Sequence, residues 1–264
     1  KIPILKRLIP SIGIRLLKIF KINRRFFNIS GIKMYLDFLD PIDRIIILHK
    51  NYEVEEINIL TKLIKNNSIT KFIDIGANCG FYSFQLAKQN LKVFSFEPNS
   101  EAVLKMKNTI NANKNFRNKI KIFPFGLSDK KSKINMQSMV KHGYIQTGGS
   151  SVVTSGKLIQ NNKFIAYYQA EFEIGDNILN FQRENLVIKI DVERHELNVL
   201  KGIKNLLKNN KCILQIEIFK ENFNIVNSFL TKNNFVLFKQ IKKRFNYFYS
   251  NYNNHQLKII TSDF

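Results

Sequence analysis

The residues best able to do chemistry in this chain are its acids, and they are scarce. Only 20 of 264 residues are Asp or Glu, against 42 Lys and Arg. Yet Asp74, Glu97, Asp129, Asp191, Glu193 and Glu217 each stand at or just past the end of a short apolar run. Singly, each reads as a cap for a following helix. As a set they describe an acidic rim on a basic protein, which suits a ligand bearing hydroxyls and a positive charge and not a polyphosphate.

The sharpest local pattern is Phe72-Ile-Asp-Ile-Gly-Ala-Asn-Cys-Gly-Phe81. Asp74 precedes Gly76 and Gly80, which let the chain turn tightly and open a helix. The dinucleotide fingerprint needs a glycine where Asn78 stands, and no Gly-Lys-Ser/Thr follows to make a P-loop. Asp74 would also repel a pyrophosphate. Asp-x-Gly-x-x-x-Gly is instead the spacing of an S-adenosylmethionine (SAM) loop. Glu97 follows Gly76 by 21 residues. An acid at about that distance, at the tip of the next strand, accepts hydrogen bonds from both ribose hydroxyls.

A third constellation is Asp191-Val-Glu-Arg-His-Glu196. Asp191 and Glu193 share a face while a strand persists. His195, with an ordinary pKa near 6.5, is a natural proton acceptor, or else only a capping residue. Acid clusters also bind Mg2+, but no metal ligand is assigned here. His49, His142 and His255 lack such company and read as surface or packing residues. Cys79 reads as a helix-packing residue, and with Cys212 it forms no metal-ligand spacing.

These groups need a scaffold that brings strand ends together. Short apolar runs at 71–75, 91–96, 119–123, 186–190 and 213–218 alternate with helical periodicity at 52–65, 81–89, 101–113, 196–208 and 222–233. That alternation implies an α/β, doubly wound, mainly parallel sheet, with 235–241 and 245–250 as an antiparallel C-terminal pair. The site then lies at the carboxyl ends of the strands. The stretch 128–175 is irregular, with short strands.

The formal net charge is +22, much of it composition drift toward Lys, Ile and Asn. Residues 1–36 stand out, with nine basic residues and no acid. From Ile14 to Phe27 they read as a basic amphipathic helix, packed on the domain or lying on an anionic membrane. The chain begins at Lys1, so a preceding start is expected. The expected division is an accessory, helical segment 1–45 and a catalytic domain 46–264. No transmembrane run is seen, so the expected location is cytoplasmic, with residues 1–36 contacting the inner membrane face.

With these motifs in hand, the sequence resembles the FkbM-type family of class I SAM-dependent methyltransferases, a Rossmann-like fold. The resemblance rests on 72–83, on Phe96-Glu-Pro-Asn99, and on 188–196 with Val199-Leu-Lys-Gly202; Gly126-Leu-Ser-Asp129, Gly149-Ser-Ser151 and Leu214-Gln-Ile-Glu217 are weaker echoes. It implies SAM as cofactor, with Asp74, Gly76, Asn78 and Gly80 as the methionine-side loop and Glu97 on the ribose. Asn99, Gly126 and Leu127 would shape the adenine end, and Asp191 would lie near the transferred methyl, with Glu193 and His195 beside it. It also implies an acceptor hydroxyl on a sugar, glycan, glycolipid or related small molecule. Arg194 stands where the family usually has Gly, and is expected to put a cation at the mouth in an ordinary backbone conformation. Two other readings are a nucleic-acid methyltransferase, disfavoured because no Asn/Asp-Pro-Pro-Tyr/Phe follows strand four, and a non-catalytic SAM-fold module at a membrane assembly.

Overall fold

The computed structural model describes residues 23–49, 52–141, 144–153 and 165–252. Residues 1–22, His142 and His255 lie outside the described residues, so the helix expected from Ile14 is described only at its end. There it is a strand: β1 (Arg24–Ile29) pairs antiparallel with β2 (Ile32–Asp37). The Ser30-Gly31 turn, both residues at positive φ, makes the hairpin. The edge of β2 is covered by side chains of helix α4 (Ser100–Ala112) and its cap: Tyr35 N–H donates to Thr109 Oγ1 at 2.9 Å and Lys33 N–H to Asn113 Oδ1 at 3.1 Å.

Helix α1 (Pro41–His49) was not anticipated. Its start follows a rule visible in the sequence: Asp40 accepts from Ile42 N–H at 3.0 Å, and Pro41 takes the first helical position, where no N–H is needed. Helix α2 (Val54–Asn66) comes next.

The main sheet has seven strands. They are β3 (Lys71–Ile75), β4 (Lys92–Phe96), β5 (Ile120–Phe123), β11 (Asn185–Ile190), β12 (Lys211–Glu217), β13 (Val236–Ile241) and β14 (Asn246–Ser250), in the order β13-β14-β12-β11-β3-β4-β5. All pairings from β12 to β5 are parallel; β14 runs antiparallel to both neighbours. This is the doubly wound sheet with an antiparallel C-terminal pair that the alternation implies. Its two faces bury separate cores, Phe72, Val93, Val187 and Ile213 on one side and Ile73, Ile188 and Leu214 on the other. Helices α3 (Phe81–Ala87), α4, α5 (Glu196–Gly202), α6 (Lys204–Asn209) and α7 (Lys220–Lys232) complete the main domain. The single helix expected over 196–208 is broken at Ile203.

The irregular middle folds into a second sheet. β6 (Gly126–Ser128), β10 (Ile165–Ile174), β7 (Ser132–Lys141) and β8 (Tyr144–Ile145) are neighbours in that order, and β9 (Ser151–Val152) pairs with β7. β7 and β10 are ten residues each, and β10 falls in a stretch of β character at 164–174.

The strands of the main sheet have a chemical polarity. Lys71, Lys92 and Lys211 begin β3, β4 and β12, and Lys119 precedes β5. Glu97, Asp191 and Glu217 stand at the other ends of β4, β11 and β12.

Candidate active site

A cleft of about 230 Å³ opens at the carboxyl ends of the strands. Gly76, Asn78, Glu97, Gly126, Leu127, Asp191, Glu193 and His195 are all on its wall. Three expected site residues are not. Asp74 is fully buried beneath the loop and accepts from Ser83 Oγ. Gly80, at φ 81°, sits against Met106 and Phe84. Asn99 caps α4, its Oδ1 accepting from Glu101 N–H at 2.9 Å.

The glycine loop is shaped by its neighbours. Gly76 lies at φ 81°, and a Cβ there would come within 1.9 Å of the Asp191 carbonyl oxygen. Gly76 and Ala77 donate their N–H groups to Phe96 O, folding the loop over the end of β4. Asn78 N–H then reaches Glu97 Oε2 at 2.8 Å, while Asn99 N–H binds Oε1 at 2.8 Å. Burial pushes the Glu97 carboxyl up to about 7, against the pull of those two bonds. Asn78 Oδ1 is buried with no partner. A carboxylate fixed by backbone donors, with lone pairs to spare beside an unsatisfied amide oxygen, fits the hydroxyl and amino groups of the expected cofactor.

Beneath the cleft runs a polar row. Register places Lys189 between Asp74 on β3 and Gln215 on β12. Lys189 Nζ binds Asp191 Oδ2 at 2.7 Å and lies 4.8 Å from the centre of the Tyr82 ring. Burial would raise the Asp191 carboxyl, but Lys189 and a hydrogen bond from Glu217 hold it below the ordinary range. Glu217 goes the other way, to about 9, through burial and the Asp191 charge. Burial and the Asp191 charge favour the proton on Glu217, shared with Asp191. Burial and the same charge bring Glu193 to about 7.

Asp191 and Glu193 do share the cleft, but not as strand neighbours. β11 ends at Ile190, and Glu193 and Arg194 turn at φ 49° and 77°. Arg194 therefore takes the left-handed conformation expected of the family's Gly. Its N–H binds Glu196 Oε1 at 2.7 Å, its Nε binds Glu221 at 2.9 Å, and its guanidinium lies 4.5 Å from the centre of the Phe219 ring. It turns away from the cleft and puts no cation at the mouth.

His195 Nε2 lies 2.9 Å from Ser128 Oγ, and Ser128 donates to Asp129 Oδ1 at 3.1 Å. Ser128 has one proton; given to Asp129, it leaves Nε2–H as the donor and Nδ1 as the basic nitrogen. Burial lowers the His195 pKa, so the ring is neutral at pH 7. Asp129, expected on the rim, acts instead behind His195.

Two parts of the wall have no site role in the sequence analysis, although Gly149-Ser-Ser151 is a family echo there. Glu53, expected in the first turn of α2, precedes it at φ 46°, faces the cleft and accepts from Tyr82 Oη at 2.6 Å. The Thr147–Ser150 loop forms the other side. Asp40 Oδ2 accepts from Thr147 N–H and Oγ1 at 2.8 and 2.7 Å, and buried Lys105 binds Asp43 at 2.6 Å and Thr147 Oγ1 at 3.1 Å. Among the described residues no group of three or more His, Cys, Asp and Glu is arranged to hold a metal, and no helix is long and apolar enough to cross a membrane.

The family description "Methyltransferase FkbM domain" matches residues 74–237. Among solved structures, a methyltransferase FkbM from Methylobacillus flagellatus is similar at 17% identity and a TM-score of 0.48, over 69% of this chain and 43% of that one. This chain thus spans less than half of that protein. A candidate methyltransferase from Streptococcus mutans in complex with SAH is 12% identical, over 75% and 94% of the two chains, with a TM-score of 0.44. A ribosomal protein L11 methylase from Lactobacillus delbrueckii is 11% identical, over 76% and 78%, with a TM-score of 0.43. No curated protein matches the chain.

Proposed function

The chain belongs to the FkbM methyltransferase domain family and has the class I methyltransferase fold, and from that premise we propose that it transfers a methyl group from SAM to a hydroxyl of a sugar, glycan, glycolipid or related small molecule. The observation that carries this is the acid set converging on one cleft: Glu53, Glu97, Asp191, Glu193 and Glu217. SAM, when bound, supplies a methyl group on a positively charged sulfonium. Glu97 would hold the ribose hydroxyls, the Gly76–Asn78 loop the methionine end, and Gly126-Leu127 the adenine.

Asp191, kept ionised by Lys189 and Glu217, supplies negative charge that favours a cation beside it. A sugar hydroxyl is a weak nucleophile, so its proton needs an acceptor near the working pH. Glu193, at about 7, has that affinity. His195 Nδ1 is the second such group, oriented through Ser128. The Thr147–Ser150 loop and Phe172 narrow the cleft around these groups. An acidic wall repels a phosphate backbone, which counts against nucleic acid as acceptor.

Calorimetry with SAM tests the cofactor, and a 14-Da mass comparison of cell-surface glycans and lipids with and without the gene tests the acceptor class. A folded protein that does not bind SAM would sink the reading. Residues 1–36 as an anionic-membrane contact are a separate proposal. Vesicle flotation with and without residues 1–22 tests it, and unchanged binding would refute it.

A further inference from the structure

At the opposite end of the sheet lies a second groove. Its cations are Arg183, Lys204, Lys208, Lys211 and Lys232, and among the described residues no acid lines it. All five side chains belong to exposed residues. None makes an ion pair among the described residues. Two acids near it in sequence are engaged elsewhere: Glu184 binds Lys71 at 2.7 Å, and Asp176 accepts from Asn205 and Leu206 N–H at the start of α6.

The floor is rigid. Asn210 Nδ2 donates to Phe181 O and Leu206 O, and Asn251 Nδ2 to Asn210 O at 2.9 Å and Leu207 O at 3.2 Å. Asn251 Oδ1 accepts from Cys212 N–H at 2.7 Å. These amides tie the 181–184 turn, the end of α6, the start of β12 and the segment after β14 into one frame. The lysines extend from a fixed base.

We propose that this groove binds the phosphates of anionic lipid headgroups and docks the protein on a membrane through the face opposite its catalytic cleft. Three features favour a lipid surface over other polyanions. Four of the five cations are lysines, mobile point charges that suit a fluid array of phosphates better than a fixed bidentate partner. Among the described residues no aromatic side chain lines the groove, so these residues offer no stacking platform for the bases of a single-stranded nucleic acid. Val236, two residues after the groove residue Asn234 and paired with Ser250 at the same end of the sheet, is an apolar side chain 58% exposed. The site does not depend on the identity of the acceptor or the cofactor.

The test is flotation of the full chain with vesicles of phosphatidylcholine alone or with phosphatidylglycerol, comparing wild type with Lys204→Glu/Lys208→Glu/Lys211→Glu. Each lysine near an anionic surface contributes about 1 kcal/mol, so the triple variant should bind the anionic vesicles about 10²-fold more weakly. It should keep the wild-type circular dichroism and SAM affinity. Deleting residues 1–22 should leave a groove-dependent fraction of binding. Three results would overturn the proposal: undiminished vesicle binding by the triple variant, equal wild-type binding to neutral vesicles, or full competition by millimolar inorganic phosphate, which would make the site one for the free ion. Tighter, groove-dependent binding of an RNA oligonucleotide would overturn it in favour of nucleic acid.

Discussion

The two ends of the main sheet carry opposite charge and treat it in opposite ways. At the carboxyl ends, acids are buried or half-buried, bound by backbone N–H groups, and neutralised by two buried lysines, Lys189 and Lys105. At the amino ends, the groove cations Arg183, Lys204, Lys208, Lys211 and Lys232 are exposed and make no ion pair among the described residues. Burial makes the acids costly to ionise, so they shift, share protons and become tuned groups. Exposure leaves the lysines as ordinary charges whose effect is additive and screened by salt. One end is built for chemistry on a small ligand, and the other for attraction to a surface.

The largest effect should follow from removing a buried cation at the acidic end. Lys105→Met strands Asp40 and Asp43 without a counter-charge and should destabilise the fold by about 3–5 kcal/mol, read by denaturant unfolding. A loss below about 1 kcal/mol would mean that these acids protonate freely and that the end is not electrostatically tuned.

Next is Glu193→Gln, which should lower turnover by about 10²-fold while leaving SAM affinity nearly unchanged. The wild-type rate should rise as pH passes through about 7, because the base must lose its proton, and the variant should lack that limb. If His195→Ala removes the limb instead, His195 is the base and Glu193 only shapes the field.

Glu97→Ala should weaken SAM by about 1.5–3 kcal/mol in calorimetry, the range for hydrogen bonds to a charged group. The triple Lys→Glu groove variant should leave this affinity unaltered, which separates the two ends directly.

A separate effect is on stability against pH. Glu217 has its folded pKa raised to about 9, above an ordinary value of 4.5. The folded state therefore holds the extra proton in between, and this carboxyl's contribution weakens as pH rises from about 5 to 9. Glu217→Gln should remove that slope and raise the melting temperature at pH 9 relative to wild type. An identical pH dependence in both proteins would show that Glu217 is ionised at neutral pH.

Much of this was legible along the chain. Strand–helix alternation, the Asp74–Gly80 loop and Glu97 each follow from local periodicity or from spacing across a single crossover. Lys189 was also in plain view, one polar residue in Leu-Val-Ile-Lys-Ile, but its meaning needed the register that sets it between Asp74 and Gln215. The hairpin at 24–37 was misread at its start because Phe26 and Phe27 continue an apolar pattern. What makes it a strand is pairing with 32–37, whose outer edge is then satisfied by Thr109 and Asn113, more than seventy residues away.

The sequence by itself determined the fold class and which acids stand at strand ends, because both are written in residue order and period. Only the tertiary structure decided which of those acids face the cleft and which proton each holds. Asp74 and Asn99 matched the motif but lie behind the wall, while Glu53 and the Thr147–Ser150 loop matched little and form it. Arg194 looked like an intrusion at the mouth until Glu221 and Phe219, on and just before a later helix, drew it away. A carboxyl's proton affinity depends on burial and on charges within a few ångströms, and those neighbours come from different strands.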